Sequence, residues 1–392
     1  MKICTIIAEY NPFHNGHLRQ IKYVKENISP DFIIVIMSGT FTQRGEVACL
    51  DKYTRASHCI KGGADLVLEL PQVFSSQNAE VFAKGALSIL SKIKGEKILC
   101  FGTETASLET LIEISKISLN ESEDYKKVLK ENLAKGLSYI VARKNALTKV
   151  YSNQNIDFSI MDTPNNILAI EYIKAIIQNG YDFTLNAITR NDKGYLDSQV
   201  GEEFSSALSI REALLSGKKS LIKGVVPAYT YKDLPKKLTI SDSEILYSLL
   251  TTTSKKLKKV PDCTEGLENR ILLAVKECTS LEELIEKVKT KRYSTARLKR
   301  IFINNLLGID TSLVKKALSS SLYFRVLAIK KGSEKVLNVL ADSNTLPIIE
   351  RKSSIKKLKG ISKKCFEKDL LALNVYSLMT KKVYGEYIMK II

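Results

Sequence analysis

At 392 residues the chain is long enough for two domains rather than one. A hydrophobic content of 44% with 26% charged residues suits a globular protein. No apolar run approaches the ~20 residues that a membrane-spanning helix needs, so a membrane role is not expected. The net charge of +18 is lopsided: residues 1–200 carry 23 Lys and Arg against 22 Asp and Glu, whereas residues 201–392 carry 37 against 20, a local +17. An excess confined to one half is the electrostatic footprint of a nucleic-acid partner.

In chain order, Met1 to His17 turns polar after eight residues. That is too soon for a signal-peptide core, so the segment reads as a first strand. The cytoplasm is the expected compartment because the seven cysteines are scattered and odd in number, which fits a reducing cytosol. Short apolar runs predict strands at Ile3–Ala8, Phe32–Met37, Leu66–Leu70, Ile98–Phe101 and Phe183–Ala187. Helical patterns at His17–Glu26, Lys52–Lys61 and Asn78–Lys92 separate them. This alternation predicts an α/β fold with a Rossmann-like parallel sheet over residues 1–220. Ligands of such sheets sit beyond the C-terminal strand ends, where loops after strands one, two and four would converge. From residue 221 to 392 helical periodicity dominates, as at Glu244–Ser254, Gly266–Cys278, Leu281–Lys289 and Ser294–Leu307, so an all-helical basic domain is expected there. Lys218–Lys237, with Gly224, Pro227 and Pro235, reads as a linker.

Seven cysteines are scattered without a C-x-x-C pair, which argues against a disulfide framework or a zinc site. Two of only three histidines lie together in His14-Asn-Gly-His17, where the first strand gives way to a helix. A helix start offers free backbone N–H groups and a positive dipole to phosphate. Gly16 permits close backbone approach, and two imidazoles three apart can point to one side. Such donors are what a transition state at an α-phosphate requires.

His14-Asn-Gly-His17 resembles the H-x-G-H motif of the nucleotidyltransferase superfamily. Ser205-Ser-Ala-Leu-Ser-Ile-Arg211 resembles its second motif, S-x-x-x-I-R. By that resemblance, Ser209 and Arg211 join His14 and His17 as catalytic candidates, with the first two on the outer phosphates. The likeness narrows with Glu9 to His17, Met37 to Gly45, Gly62 to Pro71, Phe101-Gly-Thr-Glu104, Pro164-Asn-Asn-Ile167, Glu265 to Arg270 and Lys291 to Arg300. Together these resemble the bacterial tRNA(Met) cytidine acetate ligase family. The resemblance implies a nucleotidyltransferase domain followed by a helical tRNA-binding domain. It implies formation of acetyl-adenylate from acetate and ATP, accompanied by Mg2+, and acetyl transfer to N4 of the wobble cytidine of elongator tRNA(Met). It also implies an ATP-binding loop made of Ile7, Ala8, Glu9, Tyr10, Asn11, Pro12, Phe13, His14, Asn15, Gly16, His17, Leu18, Arg19 and Gln20. Further ATP contacts would be Gly102, Asn165 or Asn166, and Arg190. A histidine is expected after Tyr195, but this chain has Leu196.

Other candidates rest on chemistry and position. Arg44 lies in a long loop after the second strand, at the ligand edge, and suits a pyrophosphate, acetate or RNA phosphate. Asp65, Glu69 and Glu80 read as caps or surface acids rather than metal ligands, so no metal ligand is assigned. Cys100 reads as a small core residue. Arg292, Tyr293, Arg297, Lys299 and Arg300 combine positive charge with an aromatic ring, as phosphate contact plus base stacking requires. Two rival readings stay open from the residues alone. A small-molecule adenylyltransferase forming a dinucleotide cofactor leaves the basic half without a task. A non-catalytic, ATP-sensing RNA-binding protein leaves two phosphate-directed histidines without one.

Overall fold

A computed structural model describes residues 1–104, 107–154, 156–189, 206–342, 346–385 and 389–392. Five parallel strands form where continuous apolar runs were expected: β1 (Lys2–Ala8), β2 (Phe32–Ser38), β3 (Leu66–Leu70), β4 (Glu96–Thr103) and β5 (Thr184–Thr189). They lie in the order β5-β4-β1-β2-β3. Alternate residues of each strand feed opposite faces, the period-two consequence of the pleat. In β2, Ile34 and Ile36 join one core while Ile33, Val35 and Met37 join the other. Both faces are covered by helices, which is why these strands read as unbroken apolar runs.

The helices also begin where their capping residues stand. Asp51 caps Lys52–Lys61, Asn78 caps Ala79–Leu90, and Ser294 caps Thr295–Leu307, each side-chain oxygen accepting a backbone N–H of the first turn.

The second half is mostly helical, as expected, but not entirely. The segments β6 (Phe324–Ile329), β7 (Ile348–Ile349) and β8 (Lys390–Ile391) extend the same sheet. β6 pairs antiparallel with β3, and β7 and β8 pair with β6. All six residues of β6 are buried. An all-helical second half would leave β3 with a bare edge, and β6 satisfies it. Helix Gly360–Thr380 then packs against the short helix Gln72–Ser75 that follows β3, and the Asp369 carboxylate accepts the Gln72 N–H at 2.7 Å.

Lys218–Lys237 is not a free linker. Ile222, Val225, Val226 and Leu234 form a small core with Cys49, Leu50, Ile210 and Leu214. Among the described residues no helix is long and apolar enough to cross a membrane.

The chain winds from β1 through β2 to β3 on one side, then returns to place β4 on the other side of β1. β1 and β4 therefore flank the topological switch point, and the crevice beyond their C-terminal ends is where a doubly wound sheet takes its ligand.

Candidate active site

The turn after β1 fills that crevice. His14 is the N-cap of helix Asn15–Tyr23 and closes a capping box with His17. His14 Nδ1 accepts the Gly16 N–H at 3.1 Å, and His17 Nδ1 accepts the His14 N–H at 3.2 Å. The two rings stack with centroids 3.7 Å apart. With each Nδ1 used as an acceptor, the proton of a neutral ring sits on Nε2. The cap thus sets both tautomers, with Nε2–H as the donor of each neutral ring. A side chain at position 16 would bring its Cβ to 2.9 Å from the His14 ring, so glycine is needed for the stack itself. Tyr10 packs edge-on against both Phe13 and His17 and holds φ at +47°, a left-handed conformation uncommon for a non-glycine residue.

This turn is braced from two directions. Gly224 and Val225 accept hydrogen bonds from the Asn15 side chain and backbone at 2.7 and 3.1 Å, and Tyr229 lies against Phe13. From beneath, Arg55 is fully buried and donates to the backbone carbonyls of Glu9, Ser38, Gly39 and Leu50. It thereby ties the ends of β1 and β2 together. Burial lowers its pKa, yet the four carbonyls engage four of its five N–H donors. Beside it, Glu9 is raised by burial, while its carboxylate accepts the Gln43 N–H at 2.5 Å. The third histidine, His58, is buried and pairs through Nε2 with Asp233 at 2.8 Å.

The second motif reaches the same place. Ser206 caps helix Ala207–Leu215, and Ser209 Oγ lies 3.0 Å from Ser206 Oγ. Two residues on, Arg211 donates to the Asn11 carbonyl at 2.8 Å and to the Glu46 carboxylate at 2.8 Å. His14, His17 and Arg211 therefore meet around one short loop, although 197 residues separate His14 from Arg211 in sequence.

Across the crevice, a Cβ added at Gly102 would meet only the Ile188 carbonyl at 4.0 Å, so this face of β4 stays open. Gln20 reaches toward β4, its amide donating to the Cys100 carbonyl at 3.4 Å. Cys100 itself is buried. Asn165 and Asn166 part company here. Asn166 is buried, its side chain accepting the Glu104 N–H at 3.1 Å and donating to the Ile160 carbonyl at 3.2 Å. The Glu104 carboxylate in turn accepts the N–H groups of both asparagines and caps the start of helix Pro164–Asn179. Asn165 is half-buried and keeps its side-chain amide unengaged among the described residues. Arg190, Tyr195 and Leu196 lie outside the described residues.

The three acids considered above are all engaged by protein groups. Asp65 accepts from the Ile33 N–H and Ser333, Glu69 pairs with the buried Lys52 at 2.9 Å, and Glu80 pairs with Lys84. Arg44 is half-buried in the loop after β2 and makes no side-chain hydrogen bond or ion pair among the described residues. The same loop runs outward to helix Thr295–Leu307: Gly45, at φ +70°, packs so closely that a Cβ would lie 2.5 Å from the Lys299 and Arg300 backbone.

The basic-aromatic segment is partly committed within the protein. Arg297 stacks over Tyr293 at 5.1 Å and donates to the Asp262 carbonyl and Thr264. Arg300 pairs with the Asp262 carboxylate at 2.9 Å. Arg292 is more exposed and pairs with Glu265 at 3.3 Å. Lys299 reaches back to Glu46 at 3.4 Å.

Comparison with known proteins agrees with this geometry. The HIGH nucleotidyl transferase family model matches residues 1–389. The tRNA(Met) cytidine acetate ligase of Thermoanaerobacter sp. (strain X514) is 37% identical over 388 residues, covering 97% of this chain and 96% of the relative. This chain belongs to the HIGH nucleotidyl transferase family, among the tRNA(Met) cytidine acetate ligases. The ligase of Clostridium perfringens (strain ATCC 13124) is 34% identical over 394 residues, covering 98% of this chain and 96% of the relative. The crystal structure of Thermotoga maritima TmcAL bound with alpha-thio ATP superposes with a TM-score of 0.89 at 28% identity, covering all of both chains. Within this ligase fold, Arg55 and the 222–234 brace support the H-x-G-H turn and are missed by motif reading, since neither falls in a motif and both hold residues that do. Glu104 falls in a motif, but its capping of helix Pro164–Asn179 shows only in the structure.

Proposed function

We propose that this chain activates acetate with ATP to acetyl-adenylate and transfers the acetyl group to N4 of the wobble cytidine of elongator tRNA(Met), in the cytoplasm. The observation that carries the proposal is the pair of Nε2–H donors fixed by the His14–His17 capping box, with Arg211 beside them at the switch point. In the first step an acetate oxygen bonds to the α-phosphorus and the bond to pyrophosphate breaks. Acetate is already ionised, so this step needs no base. Positioning and charge stabilisation carry it, and orientation alone supplies about 7–11 kcal/mol in favourable cases. His14 and His17 would donate to the phosphate oxygens as charge builds there, while Ser209 and Arg211 would meet the departing pyrophosphate. Ile7 to Gln20, Gly102, Asn165 and Arg190 would hold the nucleotide, and Asn166 would act through Glu104. Mg2+ would arrive as the counter-ion of the substrate's phosphates. In the second step N4 attacks the acetyl carbon, AMP leaves and N4 loses a proton.

Residues 1–220 would perform the nucleotide chemistry and residues 221–392 would hold tRNA. Arg44, Arg292, Tyr293 and Lys299 are the proposed contacts, with Arg297 and Arg300 shaping the surface as well as adding charge. The +17 of the second half supports that division.

The test is exchange of labelled pyrophosphate into ATP with a panel of small acids. Acetate should support exchange, and propionate, butyrate and glycine should support far less. Equal exchange with every acid, or none with acetate in the presence of tRNA, would contradict the proposal.

A further inference from the structure

Glu46 occupies a position that the reaction scheme above leaves unexplained. It sits in the loop after β2, half-buried, and its two carboxylate oxygens serve two cations from different halves of the chain. Oε2 accepts from Arg211 at 2.8 Å and Oε1 pairs with Lys299 at 3.4 Å. The loop that carries it is rigidly placed. The Phe41 and Val47 backbones form a bridge across it, and Thr42 N–H donates to the Glu46 carbonyl at 2.9 Å. At its tip Gly45 abuts the backbone of Lys299 and Arg300. The carboxylate therefore cannot follow one cation without loosening its hold on the other.

Taking Arg211 to meet the outer phosphates of ATP and Lys299 to face RNA, as proposed above, we infer that Glu46 orders the two half-reactions by making polyphosphate binding and RNA binding mutually antagonistic. A triphosphate captures Arg211 and leaves the whole Glu46 charge to Lys299, which is then a poorer partner for an RNA phosphate. If both polyanions are bound, the carboxylate has no cation and faces two of its own sign. Once pyrophosphate leaves, the remaining adenylate carries no outer phosphate. Arg211 returns to Glu46, and Lys299 becomes available to tRNA. Adenylate formation thus precedes productive tRNA engagement.

The test measures binding with the full chain. Glu46→Gln should bind a non-hydrolysable ATP analogue about fivefold more tightly than wild type, because a competing carboxylate has gone. Lys299→Gln should bind it severalfold more weakly, because Glu46 then bonds Arg211 undivided, and the double variant should behave like Glu46→Gln. Loosened packing alone would not move the two single variants in opposite directions. In wild type the analogue should weaken tRNA(Met) binding severalfold while AMP leaves it unchanged, and in Glu46→Gln neither nucleotide should weaken it. Unchanged or weaker analogue binding by Glu46→Gln, or equal antagonism in wild type and variant, overturns the inference and leaves the proposed function standing. A wild-type chain that binds neither the analogue nor tRNA(Met) overturns both.

Discussion

His14 has two duties that substitution separates. Its Nδ1 caps the helix, and its Nε2–H is the donor proposed for the phosphate. Losing a cap to alanine costs about 1 kcal/mol, whereas losing a preorganised transition-state donor costs about 100- to 1000-fold in rate. His14→Asn keeps a good capping side chain and removes the imidazole donor. We expect it to unfold at nearly the wild-type temperature and to lose pyrophosphate exchange by about 100-fold or more. His14→Ala should lose both stability and exchange. Exchange by His14→Asn within tenfold of wild type would remove the donor role. The histidines themselves are legible in sequence because two of three fall in one four-residue motif. Arg55 is not, because a fully buried arginine in Lys52–Lys61 looks like any charge on an amphipathic helix until the carbonyls it serves are seen.

Among elements, the strands most readily read were those buried on both faces, whose runs carry almost no polar residue. β6 escaped because Arg325 interrupts it and helical periodicity surrounds it. That arginine is buried and donates to the Ile349 carbonyl and the Tyr53 hydroxyl, so its charge is part of the interior. The same region holds Asp369, on the helix that packs beside β3. Burial, with the Glu69 carboxylate nearby, pushes Asp369 up to about 8, against about 3.9 for an unfolded aspartate. The folded chain therefore binds one more proton than the unfolded chain between those values. Stability from this group is in full below about pH 4 and is lost as pH rises toward 8. Asparagine can accept from Gln72 and pair with the Tyr323 hydroxyl without that titration. We expect Asp369→Asn to gain thermal stability relative to wild type on going from pH 5 to pH 8. The gain should be about 2–4 °C for each kcal/mol of difference. Thermal unfolding followed by circular dichroism at both pH values checks this. A constant difference between the two proteins would contradict the assignment.

Over the whole molecule, the sequence divides the charge cleanly at about its midpoint, but the fold does not divide there. β6 completes the edge of β3, residues 222–234 brace the H-x-G-H turn, and Glu46 links Arg211 to Lys299. These contacts join residues 165 to 263 positions apart, and no local pattern in either segment announces them. They place the proposed nucleotide site and the basic helix on two ends of one loop, which suits an enzyme that makes an activated acid and hands it to a large polyanion. The most direct measurement of that account is transfer of labelled acetate to RNA. Purified protein would be incubated with ATP, labelled acetate and either elongator tRNA(Met) or tRNA lacking it, and the modified nucleoside identified by mass spectrometry. The account predicts ATP-dependent N4-acetylcytidine in tRNA(Met) alone, lost by at least 100-fold in His14→Asn and His17→Ala. Label on tRNA(Met) without ATP, equal label on unrelated tRNAs, or none on tRNA(Met) from a protein that supports acetate-dependent exchange would contradict it.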